Sequence, residues 1–168
     1  MATKKPIATN SNTSWTATGA ATIHEAIDDD LATTDDGTTR VASNVNGATF
    51  SVAIDTMENP NDTTAGSLVF YFRIVRSALV GDAALQDITF VLKSTGSTFA
   101  TIVWPMTTFT AGWATFSYTP TQAELALITN YDDIDVVATL NITAGTTIRI
   151  SCIEVFVATR TLRAYVIS

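Results

Sequence analysis

The sequence predicts an all-β protein: an antiparallel β-sandwich, jelly-roll-like, with one short helix and an extended N-terminal arm. Three observations carry this. The chain holds 31 threonines against four glutamates, and Thr suits strands whereas Glu suits surface helices. Apolar residues recur at every second position in short stretches separated by turn-forming segments, the period of a half-buried strand. Of 168 residues, 46% are hydrophobic and 15% charged, which is enough for one core and too apolar for a disordered chain.

The elements follow in order. Residues 1–14 are mostly Thr, Asn, Ser, Ala and Lys and cannot bury enough apolar surface to offset their ordering entropy alone. They read as an arm whose order needs outside contacts, leaving 15–168 as the sandwich domain. Ala21–Ile27 reads as a first strand or a short helix, and Thr38–Ser43 as a weak strand. In Ala48–Ile54, Phe50, Val52 and Ile54 share one face. Met57–Gly66 is a turn-rich loop. Leu68–Val75 is apolar on both faces, as a strand covered on both sides would be. Ile88, Phe90 and Leu92 alternate, Ser94–Ser97 makes a hairpin turn, and Phe99–Trp104 returns. Trp113–Tyr118 is a further strand.

Thr121 and Glu124 match a capping box, with Leu125 and Ile128 at helical spacing and Asn130 as the stop. Ile134, Val136, Ala138, Leu140 and Ile142 form a long alternating strand. Thr143–Thr146 makes a second hairpin, and Ile148–Val157 returns. In that last strand Glu154 falls in step with Ile148, Ile150 and Cys152, so either both faces are covered or a bulge changes the register. The expected core is Phe50, Val52, Ile54, Phe70, Phe72, Phe90, Leu92, Val136, Ala138 and Leu140. A jelly roll is the expected topology, with an immunoglobulin-like one as the alternative.

Charge narrows the function. With 9 basic against 16 acidic side chains the net charge is −7. No basic run exceeds Lys4-Lys5, so the sequence argues against nucleic acid and an anionic membrane surface as partners. The longest apolar run is Leu68–Phe72, too short for a membrane helix, and the N-terminus lacks the apolar stretch of a signal peptide.

Catalytic chemistry finds little purchase. His24 is the single histidine and Cys152 the single cysteine, far apart in sequence, so neither a nucleophilic triad nor a zinc site is expected. Glu25, Glu58, Glu124 and Glu154 are too scattered to suggest a glycosidase pair. The protein is therefore expected not to be an enzyme and to need no cofactor. Asp28, Asp30, Asp35 and Asp36 form an acidic loop with oxygen ligands for calcium, though without EF-hand spacing; a solvated loop with Asp residues capping turns is the reading adopted. Trp15, Trp104 and Trp113 are the candidates for a sugar-binding platform, against the plainer reading that large aromatics plug the ends of the core.

The stretch Tyr118–Val136 resembles a segment of tailed-bacteriophage structural proteins. Tyr118, Thr119, Thr121, Glu124, Ile128, Thr129, Tyr131, Asp133 and Ile134 carry the match, with Trp15, Gly19, Asp35, Asp36 and Trp113 agreeing loosely. Asp135 stands where that group often has Arg, and Cys152 where it often has an aromatic. The resemblance implies a non-enzymatic, jelly-roll-like virion component with no catalytic residue. The expectation drawn is a capsid decoration (cement) protein: a homotrimer made in the host cytoplasm and seated on the capsid surface of the virion. Its arm, at Lys4, Lys5, Pro6 and Ile7, would grip the major capsid protein or another virion protein. The alternative is a carbohydrate-binding or tail/fibre β-sandwich module.

Overall fold

A computed structural model describes residues 2–33, 36–57 and 66–158. Most of the loop expected at Met57–Gly66, together with Asp35 and the chain beyond 158, lies outside the described residues. Among the described residues eleven strands form two antiparallel sheets packed face to face. They are β1 (Ala2–Lys4), β2 (Pro6–Thr13), β3 (Thr16–Thr18), β4 (Arg40–Ser43), β5 (Thr49–Ile54), β6 (Leu68–Ala78), β7 (Asp87–Ser94), β8 (Ser97–Pro105), β9 (Ala114–Tyr118), β10 (Ile134–Asn141) and β11 (Thr147–Val157). One sheet runs β3-β4-β11-β6-β9, with β1 also paired to β11; the other runs β2-β5-β10-β7-β8. The short helix α1 (Gln122–Leu125) carries the expected box: Thr121 accepts from the Glu124 amide, and the Glu124 carboxylate accepts from the Thr121 amide.

The alternation read from sequence sets the core. All ten expected core residues are fully or almost fully buried. Phe72, Phe90, Phe109 and Phe116 surround Trp104 with ring centroids 5.3–6.3 Å away. Edge-to-face packing dominates this cluster, as the ring quadrupoles favour. The tight hairpin between β7 and β8 uses Thr95 and Gly96, both at positive φ, the geometry that matches the twist of its strands.

Three segments depart from the sequence expectation. Residues 2–13 are ordered by their own chain rather than by a partner. β1 pairs with β11 and β2 with β5, and the Lys5 carbonyl between them accepts from the Asp55 amide at 2.9 Å. Composition measured only what the segment could bury, whereas an edge strand is held by its backbone ladder. Ala21–Ile27 is a run of turns, in which the Thr22 amide donates to Glu25 at 3.0 Å and Ile23, Ala26 and Ile27 are buried.

The third departure is β11. Its register shifts between Ile150 and Cys152. Ile148 and Ile150 face the core before the shift, and Ile153, Val155 and Val157 after it. The bulge and the two-sided covering both occur: Cys152 and Glu154 turn outward yet stay buried, because residues 27–31 lie along them. There Ile153 donates its amide to Ile27 O at 3.0 Å, and Asp28 bridges Cys152.

Candidate functional site

The outer face of the six-stranded sheet gathers the polar and aromatic side chains that the core excludes. Cross-strand pairing places them in rows. Cys152, Arg73 and Thr115 form one row; Glu154, Tyr71 and Ser117 form the next; Thr3, Phe156 and Val69 form a third. Trp113 immediately precedes β9 and is half-buried. Arg149 sits between Ala42 and Val75 in the row beyond.

An acidic loop fastens one half of this face. Arg73 donates from Nε to both Asp36 oxygens, at 2.8 and 2.9 Å, and from Nη2 to Oδ2 at 2.6 Å. Its Nη1 reaches Thr115 Oγ1 at 3.3 Å, and Ser151 Oγ donates to Asp36 Oδ1 at 2.6 Å. The Asp36 hydrogen bonds raise the Arg73 pKa above its ordinary value against the opposing effect of burial. A bidentate Arg–carboxylate pair of this kind is geometrically rigid. Alongside it, Leu31 donates its amide to Glu154 Oε2 at 3.0 Å, and Cys152 Sγ donates to Asp29 O at 3.0 Å. Burial, then the carboxylates of Glu154 and Asp29, push the Cys152 thiol up to about 12, so it is no nucleophile at neutral pH.

The other half of the face stays open. Thr115 and Ser117 are exposed, and Tyr71 and Trp113 are half-buried. This half presents the Tyr71 ring, the Ser117 hydroxyl, the Thr115 hydroxyl held by Arg73 and the edge of a fixed Arg–Asp pair.

The sequence candidates distribute as follows. Trp15 is 4% exposed and packs edge-to-face on Phe50 at 5.0 Å, and Trp104 belongs to the aromatic core, so the plug reading holds for both. Trp113 alone of the three stands outside the core cluster. Of the calcium candidates, Asp36 is committed to Arg73 and Ser151, and Asp30 Oδ1 accepts from the Ala32 amide at 3.1 Å. Asp28 is drawn to β11, and Asp35 lies outside the described residues. No group of three or more metal-ligating side chains comes together among the described residues. His24 Nδ1 lies 3.1 and 3.0 Å from the hydroxyls of Thr9 and Thr22, a structural role. Of Lys4, Lys5, Pro6 and Ile7, Lys4 pairs with Asp55 at 3.2 Å, Pro6 is buried within β2, and Ile7 is 53% exposed.

Tyr71, Arg73, Thr115, Ser117 and Glu154 were not among the sequence candidates. A usable signal existed: in Leu68–Val75 the apolar run is broken by Arg73, two residues after Tyr71, which marks one face as different. The partnership of Arg73 with Asp36, 37 residues away, had no sequence signature.

No family model matches the chain, and no curated protein sequence does. Solved structures do match its fold. The C-terminal CBM6 of LamC, a marine laminarinase from Zobellia galactanivorans, is similar over 92% of this chain and 98% of its own, with TM-score 0.52 and 12% identity. A xylan-binding module, CBM15, is similar over 94% of this chain and 98% of its own, with TM-score 0.54 and 12% identity. The fold is thus a jelly-roll β-sandwich of the type seen in carbohydrate-binding modules. These matches overturn the expectation of a capsid decoration protein and favour the alternative set beside it. That expectation leaned on some twenty residues around α1, whereas the matched architecture runs through nearly the whole chain.

Proposed function

We propose that the protein is a non-catalytic carbohydrate-binding module that holds a glycan chain on the open half of the six-stranded sheet's outer face. The observation that carries this is the row of Tyr71 and Ser117 set beside Thr115 and the immobilised Arg73–Asp36 pair, with the half-buried Trp113 at the start of β9 as the second aromatic candidate. A sugar ring offers an apolar face of C–H groups and an equatorial belt of hydroxyls. Aromatic side chains suit the first, and a charged pair with fixed hydroxyls suits the second. Sites of this make-up bind through a few oriented polar groups set in an apolar lining.

The fold shared with the laminarinase's CBM6 and the xylan-binding module supports the reading. The net charge of −7 disfavours polyanionic glycans at long range, which leaves neutral polysaccharides. Affinity electrophoresis through gels containing soluble β-glucan or xylan tests this. Wild type should be retarded by at least one neutral polysaccharide. Tyr71→Ala and Trp113→Ala should each weaken binding about tenfold, the loss of ~1.4 kcal/mol expected for removing an aromatic anchor. Equal retardation of wild type and both variants would place binding elsewhere.

A further inference from the structure

We propose that the protein forms a twofold dimer by joining the free edges of β8, fusing two five-stranded sheets into one of ten strands. Among the described residues the two sheets end in five edge strands, β1, β3 and β9 in one and β2 and β8 in the other. β1 and β3 have three residues each and β9 five, against nine in β8. β2 begins at a proline and shifts register twice, between Pro6 and Ala8 and between Thr9 and Ser11, and Lys4 and Lys5 precede it. Short strands, prolines, bulges and lysines are the means by which edges are kept from pairing.

β8 has nine residues, Ser97–Pro105, none of them charged. It pairs with β7 in unbroken register from Ala100 to Pro105. No described residue hydrogen-bonds to its far side.

The direction of its free groups follows from Pro105. This residue keeps its place opposite Asp87 although it has no N–H to give, so its nitrogen points away from β7. Antiparallel alternation then turns the N–H and C=O of Val103 and Thr101 outward as well. A twofold axis through Ile102 sets Thr101 of one copy opposite Val103 of the other, and the reverse. Each such pair exchanges both of its hydrogen bonds, so the edge is complementary to itself.

The side chains agree with that register. On the outer face of this sheet two rows cross the strands: Thr13, Thr49, Thr139, Thr89, Val103 and Ser11, Ser51, Val137, Val91, Thr101. The axis joins the end of each row to the end of the other in the second copy, giving an uncharged band of threonine, serine and valine. Val103, 55% exposed in one copy, becomes flanked on both sides.

β8 brings no charged side chain to the seam between two chains of net charge −7. The dimer leaves both six-stranded sheets on one side of the fused sheet, with their outer faces pointing the same way. Two such faces would add avidity for a polymer, but the dimer itself does not depend on the sugar-binding reading.

Sedimentation equilibrium of the full chain tests the proposal, together with two variants checked for folding by circular dichroism. Wild type should show a reversible monomer–dimer equilibrium, and Val103→Lys should raise its dissociation constant tenfold or more. The double variant Thr101→Cys, Val103→Cys should form a disulfide-linked dimer under mild oxidation, because these positions face one another across the axis; buried Cys152 takes no part. If Val103→Lys does not fold, the crosslink decides. A wild type that stays monomeric at every concentration overturns the proposal. So does a dimer that resists Val103→Lys while the cysteines fail to crosslink, since it would use another surface. Loss of sugar binding with the dimer intact would count against the proposed function alone.

Discussion

Replacing Asp36 by Asn removes the negative charge that fixes the acidic loop to β6 and β11. The Asp36 carboxylate receives three short contacts from Arg73, at 2.6–2.9 Å, and one from Ser151 at 2.6 Å. Hydrogen bonds to a charged group contribute about 1.5–3 kcal/mol apiece, and stranding one member of a fully buried ion pair costs about 3–5 kcal/mol. Here the two side chains keep 23% and 16% of their exposure, so water solvates part of what is left behind. Asn also retains one acceptor oxygen for Arg73 or Ser151.

The expected loss is therefore about 2 kcal/mol, below the buried-pair figure. For a domain of this length that lowers Tm by roughly 4–8 °C. Thermal unfolding followed by circular dichroism at neutral pH measures it. A double-mutant cycle with Arg73→Met should return a coupling of at least about 1 kcal/mol. Additive effects of the two substitutions, or a Tm for Asp36→Asn within a degree of wild type, would refute the claim that this pair fastens the loop.

Trp104→Ala empties the centre of an aromatic cluster and should cost about 3–5 kcal/mol, seen as a fall in the urea midpoint with an unchanged m-value; a loss under about 1 kcal/mol would mean that the cluster collapses freely onto the gap. Thr121→Ala should cost about 1 kcal/mol through the lost cap, whereas an unchanged Tm would remove Thr121 from that role. Burial, the largest single influence, raises Glu124, but the hydrogen bonds from Tyr118 and from the Thr121 amide and hydroxyl together outweigh it and hold its carboxyl below its ordinary 4.5. A depressed folded-state value means the contribution is present above 4.5 and is lost as pH falls through the folded value. The stability difference between Glu124→Ala and wild type should accordingly shrink on acidification below that point, and a gap independent of pH would exclude the carboxylate as its source. Cys152, its thiol pushed up to about 12, should resist Ellman's reagent at pH 8 until the protein unfolds; rapid labelling of the folded protein would show that residues 27–31 do not cover it.

How far the sequence could be read depended on the kind of information each element carries. Strands with one face in the core, such as β5, β7 and β10, announce themselves by alternation, because burial on one side imposes a period of two. The capping box at Thr121 was legible because both of its hydrogen bonds span three residues. β11 was half legible: the misplaced Glu154 showed that something breaks the pattern, but the covering segment comes from more than 120 residues earlier in the chain. Residues 2–13 misled, because their side chains bury little while their backbone pairs with β11 and β5. The open face was least legible. Tyr71, Arg73, Thr115 and Ser117 come from two strands more than forty residues apart, and only the pairing of β6 with β9 makes them neighbours. The tryptophans show the same limit, since nothing local separates Trp113 from Trp104, which sits in the core.

Amide chemical-shift mapping during titration with a neutral oligosaccharide, such as laminarihexaose or xylohexaose, tests the sugar-binding face most directly. The largest changes are expected at Tyr71, Arg73, Trp113, Thr115 and Ser117, with the Trp113 indole N–H moving among the first. Saturable shifts confined to the opposite sheet or to the loops at the ends of the sandwich, with these residues unmoved, would contradict the assignment of this face.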